Sequence, residues 1–284
     1  MPRAIDHLVI AARDLPEQAA LYRRLGFQVG ARNRHPWGTE NHIVQFDGAF
    51  LELIGLGDEF AAPHPNEAVY PFAGFLARYL GRREGLAMMV MRSADAEADR
   101  RGFEAAGIGG FARFDFARQG RRPDGSEVEV AFSLAFAASP ALPEAGFFVC
   151  QQRFPENFWS RAAQVHPNGA LGVVGLTLVC DDPDQARPFL AAFLDAPGRP
   201  IEGGAAFVID RAMIECMTPA AFAARCGAPP AGAGLVGARV AVADVAASER
   251  LLAANGARFR REEGTLIVDA RDAMGVRLVF GPLA

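Results

Sequence analysis

Hydrophobic and polar positions follow a recurring order that first appears near the N-terminus. Apolar residues dominate 5–10, as in a buried β-strand, and Asp14 and Pro16 follow shortly afterwards. Aspartate caps helices and proline fits their first turn, so this segment predicts the start of a helix. An apolar-striped stretch then runs to Gly26, a residue typical of helix ends. The pattern predicts a strand followed by an amphipathic helix.

The same order returns three times along the chain. Strand-like apolar runs at 86–91, at 173–179 and from Leu235 onward each precede a predicted helix start. The aspartates at those starts are Asp95, the pair Asp181-Asp182, and Asp244. Each helix is followed by more strand-like runs, such as 41–46 and 50–54, separated by a hairpin-type turn. Each unit is therefore predicted to be β-α-β-β-β.

Four such units predict an α+β fold. A parallel, doubly wound sheet is disfavoured, because the strands after each helix have hairpin spacing. One unit leaves a sheet face uncovered, so the units are expected to pair into two half-open β-barrel modules. We expect these modules at residues 1–152 and 171–284. The connector between them, 153–170, contains the prolines and asparagines typical of a boundary.

Composition narrows the range of functions. The 284 residues are 51% hydrophobic and 22% charged with a net charge of −4, which predicts a globular protein without a nucleic-acid partner. The chain contains no lysine, so its 29 Lys and Arg residues are all arginine, which excludes Schiff-base and P-loop chemistry that require lysine. No apolar run approaches the roughly 20 residues of a membrane helix, and the start does not resemble a signal peptide. We expect no membrane partner, a cytoplasmic location and four reduced cysteines.

Three segments of the first unit together resemble a known superfamily. They are Asp6-His7-Leu8-Val9-Ile10, the loop from Arg34 to Asn41, and Phe50-Leu51-Glu52-Leu53-Ile54. With them, the chain resembles the glyoxalase-like branch of the vicinal oxygen chelate (glyoxalase, bleomycin resistance and extradiol dioxygenase) superfamily. The resemblance is closest over residues 5–56, and the later units match by pattern only. The connector segment 154–159 also resembles a glyoxalase-like subgroup.

The resemblance implies a divalent metal in a cup formed by each pair of units. His7 and Glu52 stand where the superfamily places ligands, and imidazole and carboxylate suit Mn, Fe, Ni, Co or Zn. In the second unit Met88 takes the next ligand position, where a thioether is a poor ligand. The third ligand is predicted to be Gln151 or Gln152. Glu52 is also the predicted catalytic residue.

Further side chains are predicted to bind the substrate at the mouth of the cup. They lie in the loop after the first helix, in the second unit and in the connector: His35, Trp37, Asn41, Met88, Phe158 and Trp159. If Asn41 faces the cup, strand alternation turns His42 away from it.

The second pair of units has fewer candidate ligands. Val174 and Gly237 are aligned with its first-strand positions, and Glu215 alone reproduces the context of Glu52. We therefore expect the C-terminal module to be a degenerate partner that completes the structure.

Three functions remain open from the sequence. The first is a metal-dependent enzyme of lyase or isomerase type acting on a small oxygen-chelating substrate. The second is a metal-free protein that binds or sequesters small molecules in the same cup. The third is an extradiol-type dioxygenase, which is disfavoured because one pair of units does not offer the expected two histidines and glutamate. A homodimer stays open as an assembly.

Overall fold

The structure is a computed structural model that describes residues 2–58, 60, 69–121 and 126–283. Within these residues the chain forms two eight-stranded sheets and seven α-helices. The strands of the first sheet are β1 (Ile5–Ala11), β2 (Asn33–Arg34), β3 (Thr39–Gln45), β4 (Phe50–Leu56), β5 (Gly85–Arg92), β6 (Phe114–Arg121), β7 (Glu127–Ala137) and β8 (Gly146–Gln152). The strands of the second sheet are β9 (Ala170–Val179), β10 (Gly198–Ile201), β11 (Gly204–Ile209), β12 (Ala212–Met217), β13 (Gly234–Val242), β14 (Arg260–Glu262), β15 (Thr265–Val268) and β16 (Arg277–Gly281).

The helices are α1 (Leu15–Arg24), α2 (Phe72–Arg82), α3 (Ala96–Ala105), α4 (Pro155–Phe158), α5 (Pro183–Leu194), α6 (Pro219–Cys226) and α7 (Val245–Ala254). The predicted caps start four of them. Asp14 accepts a hydrogen bond from the Glu17 amide at 2.8 Å, and three further aspartates cap their helices in the same way. These are Asp95, Asp182 and Asp244. Gly26 follows α1 with φ +81°, a left-handed conformation that glycine adopts without strain.

The strand order confirms the predicted fold class of paired β-α-β-β-β units. The first sheet runs β2-β3-β4-β1-β5-β8-β7-β6, so the outer strands of each unit flank the central pair β1 and β5. β1 is parallel to β4 and antiparallel to β5. The second sheet repeats this order with β9 and β13 at its centre. The helices α2, α4 and α6 and the strands β2, β6, β10 and β14 were not predicted from the sequence.

The two sheets share one hydrophobic core. Alternate residues of β4 separate its two faces, since Leu51 and Leu53 point into that core and Glu52 points away from it. The helices α1, α3, α5 and α7 contribute to the same core. Phe147 of the first sheet packs edge-on against Phe193 of α5, with ring centroids 5.4 Å apart. The sheets therefore lie back to back, and their concave faces, called here the N-terminal cup and the C-terminal cup, open on opposite sides of the core.

The connector is fastened to the first sheet. It contains α4 and a short 3₁₀ helix, Arg161–Gln164. Gln45 at the end of β3 donates to the Phe158 carbonyl at 2.8 Å and accepts from the Ser160 amide at 2.9 Å. His166 accepts from the Gln28 amide at 2.9 Å, so its other ring nitrogen carries the proton and donates to the Gln45 carbonyl at 2.7 Å. These bonds hold α4 against the rim of the N-terminal cup.

All four cysteines are free thiols, although the sulfurs of Cys180 and Cys216 lie 3.4 Å apart. Across the described ranges, helices that combine the length and the hydropathy needed to cross a membrane are absent.

Candidate active site in the N-terminal cup

A bulge in β1 brings two consecutive polar side chains together. Ile5 pairs with Met91 and His7 pairs with Val90, so Asp6 is an extra residue between two partners that are adjacent on β5. Both side chains are buried, with Asp6 0% and His7 5% exposed. Nδ1 of His7 lies 2.6 Å from an Asp6 oxygen. A carboxylate can only accept, so Nδ1 carries the proton and Nε2 keeps its lone pair.

Asp6 is held by several donors. The Gln152 amide donates to its second oxygen at 2.9 Å. The donor atoms of Asp6, His7 and Cys150 lie within 4.8 Å of one another, which makes them a possible group of metal ligands. Burial raises the pKa of the Cys150 thiol, and the charge of Asp6 adds to that effect. Cys150 is therefore protonated, and Asp6 acts as the acceptor that orients His7.

Glu52 faces the free nitrogen of His7. Its Oε2 lies 3.7 Å from His7 Nε2, and its Oε1 lies 3.7 Å from His35 Nε2. The Asn41 amide donates to Oε1 at 2.5 Å. A carboxylate that is only 6% exposed requires partners of this kind, because burying an unpaired charge is costly. Glu52 therefore lies between two histidines on the floor of one cup.

His35 enters this group from the loop between β2 and β3. Its Nδ1 lies 2.8 Å from the Thr39 hydroxyl, and the Asn41 amide lies 3.3 Å from its Nε2. Trp37 stacks on the ring, with centroids 4.7 Å apart. Burial lowers the pKa of His35, although the negative charge of Glu52 works in the opposite direction. The imidazole is thus neutral near pH 7 and can accept or ligate through Nε2.

These polar groups form the floor of a cavity of about 330 Å³ with aromatic walls. Its aromatic lining consists of Trp37, Phe50, Tyr70, Phe72, Phe114, Phe116, Phe132, Phe136, Phe148 and Phe158. Arg118 of β6 also lines it and donates to the Asn33 side chain at 3.2 Å. Burial lowers the pKa of Arg118, and the charge of Glu52 opposes that shift. Among the described residues, Glu52 is the one carboxylate that lines this cavity.

Strand pairing identifies the equivalent positions of the two units. His7 pairs with Val90 and Val9 pairs with Met88, so an approximate two-fold axis relates His7 to Met88. Met88 is fully buried and packs against Gly146, where an added Cβ would lie 2.7 Å from its Cγ. It contacts the core beneath the cup and does not line the cavity.

The same axis corrects the predicted register of the last strand. Glu52 pairs with Val9, and Phe148 pairs with Val90, so Phe148 is the residue equivalent to Glu52. Neither Gln151 nor Gln152 takes that position. The second unit therefore supplies two apolar side chains where the sequence predicted one weak ligand.

Both glutamines are used in other contacts. The Gln151 amide donates to the Ala94 carbonyl at 2.8 Å and accepts from the Ala96 amide at 3.2 Å, at the start of α3. Gln152 donates to Asp6. Neither lines the cavity.

Some of the remaining predicted side chains line the cavity and others do not. Asn41 and Phe158 line the cavity, as His35 and Trp37 do. Trp159 packs edge-on against Phe158 at 4.9 Å and lies behind it. His42 points away from the cavity, where its Nδ1 lies 2.8 Å from the Gly30 carbonyl.

Asp6, Cys150 and Arg118 belong to the site but were not predicted. The sequence does contain a signal for Asp6, because a carboxylate inside an apolar strand requires a partner when it is buried, and His7 is the adjacent residue. Arg118 had none, because its strand was not recognised. Cys150 was recognised only as a buried thiol.

The C-terminal cup lacks an equivalent group among the residues described there. Gly175, and not Val174 as aligned from the sequence, pairs with Arg239 and takes the place of His7. Glu215 is the counterpart of Glu52, but it forms an ion pair with Arg225 at 2.5 Å.

Comparison with known proteins agrees with this architecture. A family model described as a glyoxalase-like domain matches residues 5–194. No curated protein matches the sequence. A hypothetical protein from Staphylococcus aureus has a similar structure, with a TM-score of 0.65 at 11% identity, covering 99% of this chain and 100% of the other.

Two further structures are similar to the whole chain. A triple mutant of 4-hydroxymandelate synthase from Streptomyces coelicolor has a TM-score of 0.60 at 13% identity, covering 98% of this chain and 92% of the other. A fusion of a xylose isomerase-like TIM barrel with 4-hydroxyphenylpyruvate dioxygenase has a TM-score of 0.55 at 12% identity, and the match covers 99% of this chain and 49% of the fusion. At these identities the likeness shows a common fold.

Proposed function

This chain belongs to the glyoxalase-like domain family, and from that premise we propose that its N-terminal cup is the active site of a divalent-metal-dependent enzyme. The substrate is a small molecule that presents oxygen atoms to the floor of the cup. One observation supports this most: Glu52 lies 3.7 Å from His7 on one side and 3.7 Å from His35 on the other, at the base of a largely apolar cavity.

The donor set fits a transition metal such as Mn, Fe, Ni, Co or Zn. His7 offers Nε2 because Asp6 holds Nδ1, the arrangement that fixes metal-binding histidines elsewhere. His35 offers Nε2 because its Nδ1 faces Thr39. Glu52 offers one oxygen to each side. Two imidazoles and one carboxylate are ligands that these metals favour. His35, from the first unit, would be the third ligand, the role that the sequence predicted for Gln151 or Gln152 of the second.

His7, His35 and Glu52 would hold the metal, which would supply Lewis-acid polarisation of substrate oxygens. Glu52 would take a proton from the carbon beside such an oxygen and return it. Asn41 donates to Oε1 of Glu52 and so fixes the orientation of this carboxylate. This chemistry corresponds to a lyase or isomerase.

The walls favour a substrate with an aromatic or otherwise flat apolar body. Trp37 and Phe116 meet edge to face with ring centroids 4.9 Å apart. An aromatic ring of the substrate can pack against these walls in the same edge-to-face or offset arrangement. Arg118 lies on the same wall and can bind a negatively charged oxygen of the substrate.

The donor set also favours a second function. Two histidines and one carboxylate with open positions are the ligand set of non-haem iron oxygenases. The sequence disfavoured an extradiol-type dioxygenase because the second histidine was not evident, and His35 removes that objection. A metal-free binding protein is the remaining alternative, and Met88 and Phe148 at two ligand positions favour it.

Elemental analysis of unchelated protein tests the proposal. We expect about one equivalent of a transition metal, which His7→Ala and Glu52→Gln lose and the control Gln151→Ala keeps. Absence of metal after incubation with Mn, Fe, Ni and Zn would exclude the enzyme and favour the binding protein. Oxygen consumption by the iron-loaded protein with a panel of catechols separates the oxygenase from the lyase or isomerase.

A further inference from the structure

The C-terminal cup holds a second cavity, of about 450 Å³, whose lining differs from the first. It lies between the central strands of the second sheet and α6. Charged side chains replace the aromatic rings of the N-terminal cup. They are Glu215, Arg225, Arg239, Glu262, Glu263 and Arg277.

Two of these arginines stand side by side on the floor. Arg277 pairs with Gly237 on the neighbouring strand, and Arg239 lies two residues further along that strand, so both side chains leave the same face of the sheet. Each is half-buried. Within the described residues, neither guanidinium forms an ion pair or donates a side-chain hydrogen bond. Nε of Arg277 is fully buried without a partner.

Such groups require an acceptor. A guanidinium presents five N–H donors, and leaving them unpaired in a partly desolvated site costs free energy. The neighbouring acids do not meet this need, because Glu215 pairs with Arg225 and Glu262 pairs with Arg260. Glu263 is exposed, in a turn where its φ is +46°.

Glycines leave room above this floor. Gly175 and Gly237 occupy the positions that His7 and Met88 fill in the N-terminal cup. A Cβ on Gly175 would lie 3.2 Å from the Cβ of Arg239, so the stem of that arginine crosses the space that a ligand side chain would need. The sequence at these positions therefore favours a cationic floor over a metal site.

We propose that the C-terminal cup binds a small oxyanion, a carboxylate or phosphate group, between Arg239 and Arg277. The planar guanidinium fork matches both groups through paired N–H···O bonds. This assigns a ligand to a module that the sequence predicted to be structural only. The site is independent of any metal in the N-terminal cup.

Isothermal titration calorimetry with inorganic phosphate and with malonate, at constant ionic strength, tests the site. We expect saturable binding of at least one probe, and the tighter probe identifies the phosphate or carboxylate source. Arg239→Gln and Arg277→Gln should each weaken binding about tenfold or more, since each removes charged hydrogen bonds. Arg250→Gln, which removes the same charge from an exposed position outside the cup, should leave it unchanged.

Absence of binding by both probes, or binding that neither cup variant changes, would overturn the proposal. If the variants fail to fold, thiol labelling of the unmodified protein tests the site. Cys226 is a half-buried thiol in the lining of this cavity. Its labelling rate, followed by peptide mass spectrometry, should fall with phosphate or malonate but not with chloride. Equal rates in all three salts would refute the site.

Discussion

His7 donates from Nδ1 to the carboxylate of Asp6, its own neighbour in the strand, across 2.6 Å. Consecutive residues of a regular strand point to opposite faces, so this bond exists because the bulge in β1 interrupts the alternation. The carboxylate that orients the histidine is thus supplied by the same strand.

Replacing Asp6 with asparagine should weaken metal binding. The amide cannot accept from His7 as strongly, and in one orientation it donates to Nδ1 and forces the proton onto Nε2. We expect about 10–100-fold lower metal affinity, the range typical for loss of an outer partner of a ligating histidine. Competition with a chelating dye measures it. Asp47→Asn, at a side chain that is 85% exposed, is the control, and equal affinity in both variants would rule out an orienting role for Asp6.

An aromatic ligand in the N-terminal cup should change the fluorescence of Trp37 and leave that of Trp159 nearly constant. Trp37 lines the cavity, whereas Trp159 lies behind Phe158. Titration of Trp159→Phe should therefore keep the signal, and titration of Trp37→Phe should lose it. The reverse result would mean that the ligand binds on the outer side of α4.

The stability of the protein should fall as the pH drops below about 6.5, the ordinary pKa of histidine. Burial lowers the pKa of His166 in the folded state, so the unfolded chain binds the proton first, and protonation favours unfolding. His166→Gln can keep both contacts, because an amide also accepts and donates. Urea unfolding between pH 7.5 and 5 should show a flatter pH dependence for this variant, and parallel curves would contradict the assignment.

Phe193→Ala should destabilise the whole chain by about 3–5 kcal/mol, the usual cost of truncating a buried phenylalanine. Phe193 is fully buried and packs against Phe147 of the other module. Because the core is shared, unfolding should stay a single transition. Phe154→Ala, at a ring that is 38% exposed, should change stability by less than about 0.5 kcal/mol. Two separate transitions would show that the modules fold independently.

Much of the fold could be predicted because its signals are local. An apolar strand, an aspartate cap and a glycine stop recur four times, and each needs only a few neighbouring residues. α2 gave no such signal, since Pro71 at its N-cap has no side-chain hydrogen bond to the helix. The sequences of β6 and β14 show little alternation of apolar and polar residues and contain several charged residues, so they resemble loops.

The candidate site was predictable only in part. His7 and Glu52 were found because they lie in motifs with a recognisable context. The approach of His35 to Glu52 depends on how the loop after α1 folds over β4, which no spacing along the chain specifies. The placement of Gln151 failed because the register of β8 depends on pairing with β5, and a shift of a few residues changes which side chain faces the cup.

The shared core has a consequence for how ligands of either cup can be found. Because the two cups share one core, a molecule bound in either should add RT ln(1 + [L]/Kd) to the same unfolding equilibrium. A single melting curve therefore reports on aromatic chelators and on oxyanions alike, and their contributions should add when both are present. Loss of one contribution in Glu52→Gln and of the other in Arg277→Gln would assign each compound to its cup.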